Sequence, residues 1–391
     1  MDDTKKEIKV MLIGGHLTPA LAVYEEMKAR GYSDFIWVGR KYSQEGDKRK
    51  SSEFKQVRNL GIKFYNLNTG RLQRKWVPNT FLVGLKQLIR LPFGFTQAFS
   101  IVSKEKPDIV ISFGGYLAFP VVVAAKVLGK KTVTHEQTVV TGLSNEWISK
   151  FADKIFISWD ISKKFFPEKK TVLTGNPIRK EVFDVGSNDF VFENDLPVVY
   201  VTGGAQGSNT INWRLLEILP RLLKYANVIH QTGSSTVTSD YEKALKARKR
   251  LHKKLQSHYI VREHIYGKEI GEVFSKSSLV VSRCGANTLT ELLALGKPAV
   301  LVPIPWSSGD EQKKNAEMLE QLGLATIITQ DEISPDLLYE RITFMLARTG
   351  ETTSLNGYTW TAVREAAKSR VNVNAAQAIV DEIEKLLYTH V

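Results

Sequence analysis

Four short apolar runs punctuate the chain, each closing on glycine and each followed by a helical pattern: IKVMLIGGH at 8–16, DIVISFGGY at 108–116, LPVVYVTGGAQG at 196–207 and SLVVSRCGA at 278–286. Strands that alternate with helices predict parallel sheets. The runs are continuously apolar rather than alternating, which suits strands covered by helices on both faces, so the predicted class is α/β, doubly wound. Between Thr171 and Pro197 the pattern lapses into VFDVGSNDFVFENDLP, polar and glycine-containing, before a second strand-glycine-helix series begins. That lapse predicts a hinge between two Rossmann-like halves. After Ser354 a polar turn leads into 361–387, where Ala, Val, Ile and Leu recur at helical spacing and predict a terminal helix or helix pair.

A chain of 391 residues has room for two domains with their own cores. Its 54 Lys and Arg against 41 Asp and Glu leave +13, which favours an anionic partner without naming it. The single cysteine, Cys284, excludes intramolecular disulfides and Cys-rich zinc sites and suits a reducing, cytosolic compartment. The N-terminal MDDTKKEIKVMLIGGH lacks the apolar core and cleavage site of a signal peptide. The most apolar long stretch, 76–99, is interrupted by Lys86, Arg90 and Pro92, so no membrane-spanning helix is predicted. Within 41–100, however, twelve Lys and Arg stand against three acids, a local +9. There Arg74, Lys75, Lys86 and Arg90 interleave with Trp76, Phe81 and other apolar residues, a mixture suited to lying on anionic lipid. No nucleic-acid module is recognised.

The glycine turns carry the candidate chemistry. Gly203, Gly204 and Gly207 follow a strand and open a helix near Asn209, where backbone N–H groups and the helix dipole can face a diphosphate. Dinucleotide binding of the dehydrogenase type is disfavoured, because the first turn lacks GxGxxG and the acidic residue expected about 20 residues on. Two domains with such turns at strand C-termini suggest instead a ligand held in a cleft between them. His16, directly after Gly14 and Gly15 at a helix start, stands where a general base belongs, although a capping role reads equally well. Glu291, inside a helix that begins near Gly285, offers a carboxylate for ribose hydroxyls or is an ordinary surface Glu. Cys284 has no His-and-carboxylate partner nearby and reads as a small buried residue rather than a nucleophile.

Taken together, GGHLTPALAV at 14–23, FGGYLAFPVVVAA at 113–125, HEQTVVTGLSN at 135–145, TGNPIR at 174–179, GGAQGSNTIN at 203–212, SRCGANTLTELLALGKPAVLVP at 282–303 and DEQKKNAEML at 310–319 resemble, in order, the MurG family. These are the glycosyltransferases of peptidoglycan synthesis that add N-acetylglucosamine to lipid I. The resemblance covers roughly 8–330 and implies a GT-B fold, two Rossmann-like domains with parallel sheets facing a central cleft. Residues 1–184 would take the lipid-linked acceptor, 185–355 would take UDP-N-acetylglucosamine, and 356–391 would cross back to the first domain. It makes His16 the acceptor-side histidine and base, and Gly14, Gly15, Gly114, Gly115 and Tyr116 the acceptor-phosphate turns. Arg179 becomes a diphosphate contact, Gly204, Ala205 and Gln206 the donor phosphate turn, and Ile265 a backbone contact to uracil. Ala286, Asn287 and Thr288 would line the diphosphate and nucleoside, Glu291 would hold the ribose, and Gln312 with Asn315 would read the sugar.

The chain departs from the family at three points. Family members usually carry GGTGGH, whereas MLIGGH runs from strand straight into Gly14 and shortens the first loop; Ala205 replaces a Ser and Thr138 an Asn. No Asp-x-Asp motif occurs, so no metal and no cofactor are expected. The implied partners are UDP-N-acetylglucosamine, a lipid-diphosphate acceptor and an anionic inner-leaflet surface on the cytoplasmic face of the cell membrane. Other readings stay open: a related transferase with another lipid or polysaccharide acceptor, a UDP-N-acetylglucosamine 2-epimerase, or a catalytically weak partner subunit.

Overall fold

Alternate residues of the first strand enter two different cores, which explains why its sequence is apolar without a break. In β1 (Lys9–Ile13) Val10 and Leu12 join one buried cluster, and Met11 and Ile13 join the other. A computed structural model describes residues 7–42, 50–70, 81–204, 206–235 and 237–388, the side chains of 81–88 excepted. Ala205, Arg74, Lys75 and Trp76, and the side chains of Phe81 and Lys86, therefore lie outside the described residues.

The chain divides into two compact units, Met1–Ile178 with Asn372–Val391, and Arg179–Val371. In unit 1, β1 is followed by α1 (Leu17–Ala29), β2 (Asp34–Gly39), α2 (Ser52–Asn59), β3 (Lys63–Asn66), α3 (Phe81–Glu105), β4 (Ile109–Ser112), α4 (Ala118–Val127), β5 (Lys131–Glu136), α5 (Leu143–Ile148), β6 (Lys154–Ile157) and β7 (Thr171–Leu173). In unit 2 the order is β8 (Val198–Thr202), α6 (Asn209–Leu222), β9 (Asn227–Gln231), α7 (Asp240–Arg250), α8 (Lys253–Gln256), β10 (Tyr259–Arg262), α9 (Lys268–Lys276), β11 (Ser277–Ser282), α10 (Ala286–Leu295), β12 (Ala299–Leu301), α11 (Glu311–Gln321), β13 (Ala325–Ile327), α12 (Pro335–Thr349) and α13 (Trp360–Lys368). The last helix, α14 (Ala375–Tyr388), belongs to unit 1.

Unit 1 carries seven strands in the order β3-β2-β1-β4-β5-β6-β7 and unit 2 six in the order β10-β9-β8-β11-β12-β13. All ladder pairings are parallel. In each sheet the direction of strand addition reverses once, between β1 and β4 and between β8 and β11. Those switch points are where open α/β sheets take ligands, at the strand C-termini. This is the expected pair of Rossmann-like domains.

The expected boundary at 184/185 shifts to Ile178/Arg179, and only part of 356–391 returns to unit 1. The reason is packing: α13 lies against α10, where a Cβ on Gly296, the left-handed C-cap of α10, would come within 2.9 Å of Arg364 Cβ. By contrast α14 buries Ile379, Val380 and Ile383 in the core of unit 1. Its polar side is pinned there as well, with Arg30 reaching Asp381 at 2.6 Å and Glu384 at 3.0 Å, and Lys131 Nζ donating to the Leu387 carbonyl at 3.0 Å.

Candidate active site

At the switch point of unit 1 two glycine turns touch. A Cβ on Gly15 would lie 2.3 Å from the Gly114 carbonyl oxygen, and Gly114 and Gly115 hold φ of +76° and +81°, so these positions tolerate no side chain. His16 follows as the N-cap of α1 but makes no capping hydrogen bond. Its Nδ1 instead lies 3.0 Å from the Phe113 carbonyl oxygen and 2.7 Å from the Gln137 side-chain amide. The carbonyl requires a proton on Nδ1. Gln137 stands with Nε2 against that Nδ1; with its amide flipped, Oε1 would accept the Nδ1 proton and the NH2 would face His135 Nδ1, which is buried without a partner among the described residues. In the neutral ring of that tautomer Nε2 carries the lone pair, the atom a general base uses.

The loop after β5 holds Gln137 in place. Glu136, 1% exposed, accepts from Thr138 N at 3.0 Å, Thr138 Oγ1 at 2.6 Å, Gly142 N at 3.2 Å and Asn145 Nδ2 at 2.9 Å. Trp159 Nε1 donates to the Gln137 carbonyl at 3.2 Å. His135 is fully buried, and burial pushes its imidazole down to about 4. It is neutral near pH 7, with Nε2 3.0 Å from the Gly175 carbonyl. Tyr116, the last of the expected acceptor-turn residues, carries the Arg40 guanidinium 5.9 Å from its ring centroid.

At the switch point of unit 2 the turn after β8 is again built on glycine. Gly204 takes φ +78° and donates its N–H to Thr202 Oγ1 at 3.0 Å, while a Cβ on Gly207 would lie 2.1 Å from the Thr232 carbonyl oxygen. Gln206 is exposed. Gln231, at the end of β9, donates to Thr202 Oγ1 and the Gly204 carbonyl, each at 3.1 Å, and accepts the Ile265 N–H at 3.0 Å. One side chain thus joins the glycine turn to the segment expected to read uracil. The Ile265 N–H is engaged within the protein, which leaves its carbonyl as the group to offer a base.

Helix α10 starts at Gly285, an N-cap without a side-chain hydrogen bond, so the first turn at Ala286, Asn287 and Thr288 presents a helix N-terminus. Glu291 is 7% exposed and accepts two hydrogen bonds from Arg179, from Nη2 at 2.7 Å and Nε at 3.2 Å. Burial disfavours the Arg179 charge, but the adjoining Glu291 carboxylate more than offsets it and holds the guanidinium above its ordinary value. Gln312, half-buried on α11, accepts the Ile304 N–H at 3.1 Å, and its amide approaches Gly285. Asn315 is fully buried and donates to the Cys284 carbonyl at 3.0 Å, so it props the Gly285 turn from beneath. Cys284 is buried too, and burial pushes its thiol up, out of nucleophilic use.

The structure therefore gathers Gly14, Gly15, His16, Gly114, Gly115 and Tyr116 in unit 1, and Gly204, Ile265, Ala286, Asn287, Thr288, Arg179, Glu291 and Gln312 at the strand C-termini of unit 2. Two glutamines escaped the residue-by-residue reading. Gln137 fixes His16, and Gln231 ties Gly204 to Ile265. Each is a polar residue at or just past the end of a buried strand, immediately before a loop, and that placement is the signal that finds them.

Glycosyltransferase family 28 matches the chain in both halves, its N-terminal domain over 13–157 and its C-terminal domain over 198–355. A protein of Geotalea uraniireducens, named UDP-N-acetylglucosamine–N-acetylmuramyl-(pentapeptide) pyrophosphoryl-undecaprenol N-acetylglucosamine transferase, is 30% identical over 384 residues, 95% of either chain. A Geobacter sulfurreducens protein of the same name is 31% identical, again over 95% of both. Among solved structures, MurG of Acinetobacter baumannii superposes with a TM-score of 0.64 at 24% identity, covering 96% of this chain and 99% of that one. A putative UDP-N-acetylglucosamine 2-epimerase of Listeria monocytogenes gives 0.63 at 15% identity, covering 98% of both. Likeness at this level of identity speaks to fold, a GT-B arrangement of domains, and not to chemistry.

Proposed function

The chain belongs to glycosyltransferase family 28, in its MurG group, and from that premise we propose that it moves N-acetylglucosamine from UDP-N-acetylglucosamine to the C4 hydroxyl of diphosphate-lipid-linked N-acetylmuramoyl-pentapeptide, converting lipid I to lipid II in peptidoglycan synthesis. The observation that carries this reading is the donor-side constellation of unit 2. There a glycine turn, an uncapped helix start and the Arg179–Glu291 pair stand at the C-terminal edge of one sheet.

In this reading Glu291 takes the ribose hydroxyls, Ile265 meets the uracil through its backbone, and Gln312 reads the sugar. The acceptor C4 oxygen forms its bond to C1 as the bond from C1 to the diphosphate oxygen breaks, so C1 inverts and UDP leaves with the electron pair. The C4 proton passes to His16 Nε2, whose tautomer Phe113 and Gln137 set. Arg179 and the N-terminus of α10 offset the charge that gathers on the leaving diphosphate, a task we assign to them rather than to a metal ion.

We place the protein peripherally on the cytoplasmic face of the membrane. No helix among the described residues is long and apolar enough to cross one. On α3, Ile89 and Phe93 are 60% and 69% exposed beside the exposed Arg90, which supports a lipid-facing surface on this helix.

The test is a reaction of purified protein with labelled donor and a short-prenyl lipid I analogue in EDTA, with a β-1,4 disaccharide and UDP as the expected products. Donor consumed alone to N-acetylmannosamine and UDP replaces the reading with a 2-epimerase. Transfer only to some other lipid or polysaccharide keeps the donor assignment and rejects the acceptor.

A further inference from the structure

Arg40 follows the C-terminal end of β2, and its backbone is clamped from both sides. Its N–H donates to Glu53 Oε2 at 3.1 Å, and its carbonyl accepts from Ser51 Oγ at 2.5 Å. The next residue is fixed as well, with Lys41 N donating to Asn66 Oδ1 at 2.8 Å and the Lys41 carbonyl accepting from Ser51 N at 2.8 Å. The half-buried side chain is treated differently. Its guanidinium lies over the Tyr116 ring, and among the described residues it makes no hydrogen bond and no ion pair. A guanidinium carries five donors and a permanent charge. A guanidinium with none of its five donors used by another described residue, on an immobilised stem at the edge of the sheet where such folds take ligands, marks a group placed for an anion.

The neighbouring turns say which anion. The Gly14 N–H is engaged by the Val38 carbonyl at 2.8 Å and the Gly114 N–H by Ser112 Oγ at 3.1 Å, so neither is available to a phosphate. Glu53 closes the space over the first turn, because a Cβ placed on Gly14 would lie 1.4 Å from Glu53 Oε1. The two Glu53 oxygens accept from Trp37 Nε1 at 2.8 Å and from the Arg40 N–H, while the Arg40 guanidinium makes no hydrogen bond to them and acts on the carboxylate only through its charge. With those two amides engaged and a carboxyl group packed on the first turn, these turns offer a diphosphate fewer donors and less positive potential than a longer glycine loop would. We propose that Arg40 makes up the difference, taking the diphosphate of the lipid-linked acceptor beside these turns. The proposal rests on the acceptor reading given above. A guanidinium fork meets two phosphate oxygens at once, so it fixes orientation as well as charge.

Arg40→Ala removes no side-chain hydrogen bond among the described residues, so the fold is expected to survive, and unchanged thermal unfolding checks this. Kinetics with a soluble short-prenyl lipid I analogue, without vesicles, exclude a membrane headgroup as the ligand. In that assay R40A should raise the acceptor KM about 10- to 100-fold and leave the donor KM within about 2-fold, while R40K, which keeps the charge but loses the fork, should fall between. Calorimetric binding of farnesyl diphosphate, which needs no turnover, should weaken by a similar factor. Unchanged acceptor KM together with unchanged farnesyl diphosphate affinity overturns the proposal. So does an equal rise in the donor KM, which would put Arg40 on the nucleotide. If the parent protein fails to transfer yet binds farnesyl diphosphate through Arg40, the acceptor reading falls and the diphosphate assignment stands.

Discussion

Arg179 and Glu291 are bound to each other through one carboxylate oxygen, Nη2 at 2.7 Å and Nε at 3.2 Å from Oε1. The guanidinium assigned to the donor diphosphate and the carboxylate assigned to the ribose are thus one unit. Glu291 Oε2 has no hydrogen-bond partner among the described residues, so a ribose hydroxyl can be taken without breaking the pair.

Glu291→Ala should weaken UDP binding by about 1.5 to 3 kcal/mol, the range for hydrogen bonds to a charged group. Because Arg179 loses its orienting partner in that variant, adding Arg179→Ala should cost clearly less than it does alone. Calorimetry with UDP on the two single variants and the double variant reads this directly. Strictly additive losses would mean that the ion pair plays no part in holding the nucleotide.

For the base, His16→Ala should lower kcat by roughly 10²-fold or more with UDP affinity nearly intact, since loss of general-base catalysis typically costs 10² to 10⁴. Gln137→Ala should lower kcat by a smaller factor, because the imidazole stays but only the Phe113 carbonyl remains to fix its tautomer. A His16→Ala variant as fast as its parent would take the role away.

How much of this was legible beforehand follows the range of each interaction. A β-branched run that ends in glycine reports a buried parallel strand and its turn within about ten residues, so the parallel sheets and the glycine turns at their strand ends could be read from the chain, whereas the strand order could not. Glu291 alone read more readily as an ordinary surface helix residue. Its burial and its role depend on Arg179, 112 residues away, and Gln137 meets His16 across 121. No local pattern reports a partner at that separation. The resemblance to a family located Arg179 and Glu291 but not their pairing, and it was silent on Arg40, which owes its interest to what the adjacent turns lack. Of the expected return of 356–391 only the last helix holds, because α13 and α14 follow one another with similar amphipathic spacing yet pack on different units.

Acid should destabilise unit 2 through His230. Asn212 Nδ2 donates to the Thr232 carbonyl and to Asp240 Oδ2, so Asn212 Oδ1 must accept from His230 Nε2, at 2.9 Å, and Nδ1 then accepts from Tyr259 OH at 2.7 Å. The ring is neutral, and burial pushes its pKa down to about 3. The unfolded chain takes up this proton near pH 6.5, so stability is full above that value and falls as pH drops toward 3, by at most about 1.4 kcal/mol per pH unit. Urea midpoints measured from pH 7.5 to 5 should fall for the parent. In His230→Asn, less stable at pH 7.5, the fall should be shallower, and parallel curves would contradict the assignment.

The membrane prediction draws on both sequence and structure. The side chains of Ile89 and Phe93, four residues apart on α3 and hence on one helical face, are exposed to solvent with Arg90 between them. An ordinary core-facing helix would bury such a pair. Basic residues draw a protein to anionic lipid at about 1 kcal/mol each, and this part is screened by salt, whereas apolar insertion is not. Neutralising Arg74, Lys75, Lys86 and Arg90 together should therefore cost a few kcal/mol of binding to phosphatidylglycerol vesicles at low salt. Ile89→Ser with Phe93→Ser should instead remove the fraction that survives high salt. Co-sedimentation of the parent and both variants with phosphatidylglycerol and with phosphatidylcholine vesicles separates the two contributions. Equal binding to both lipids would reject the electrostatic part, and indifference to the two serine substitutions would reject insertion through α3.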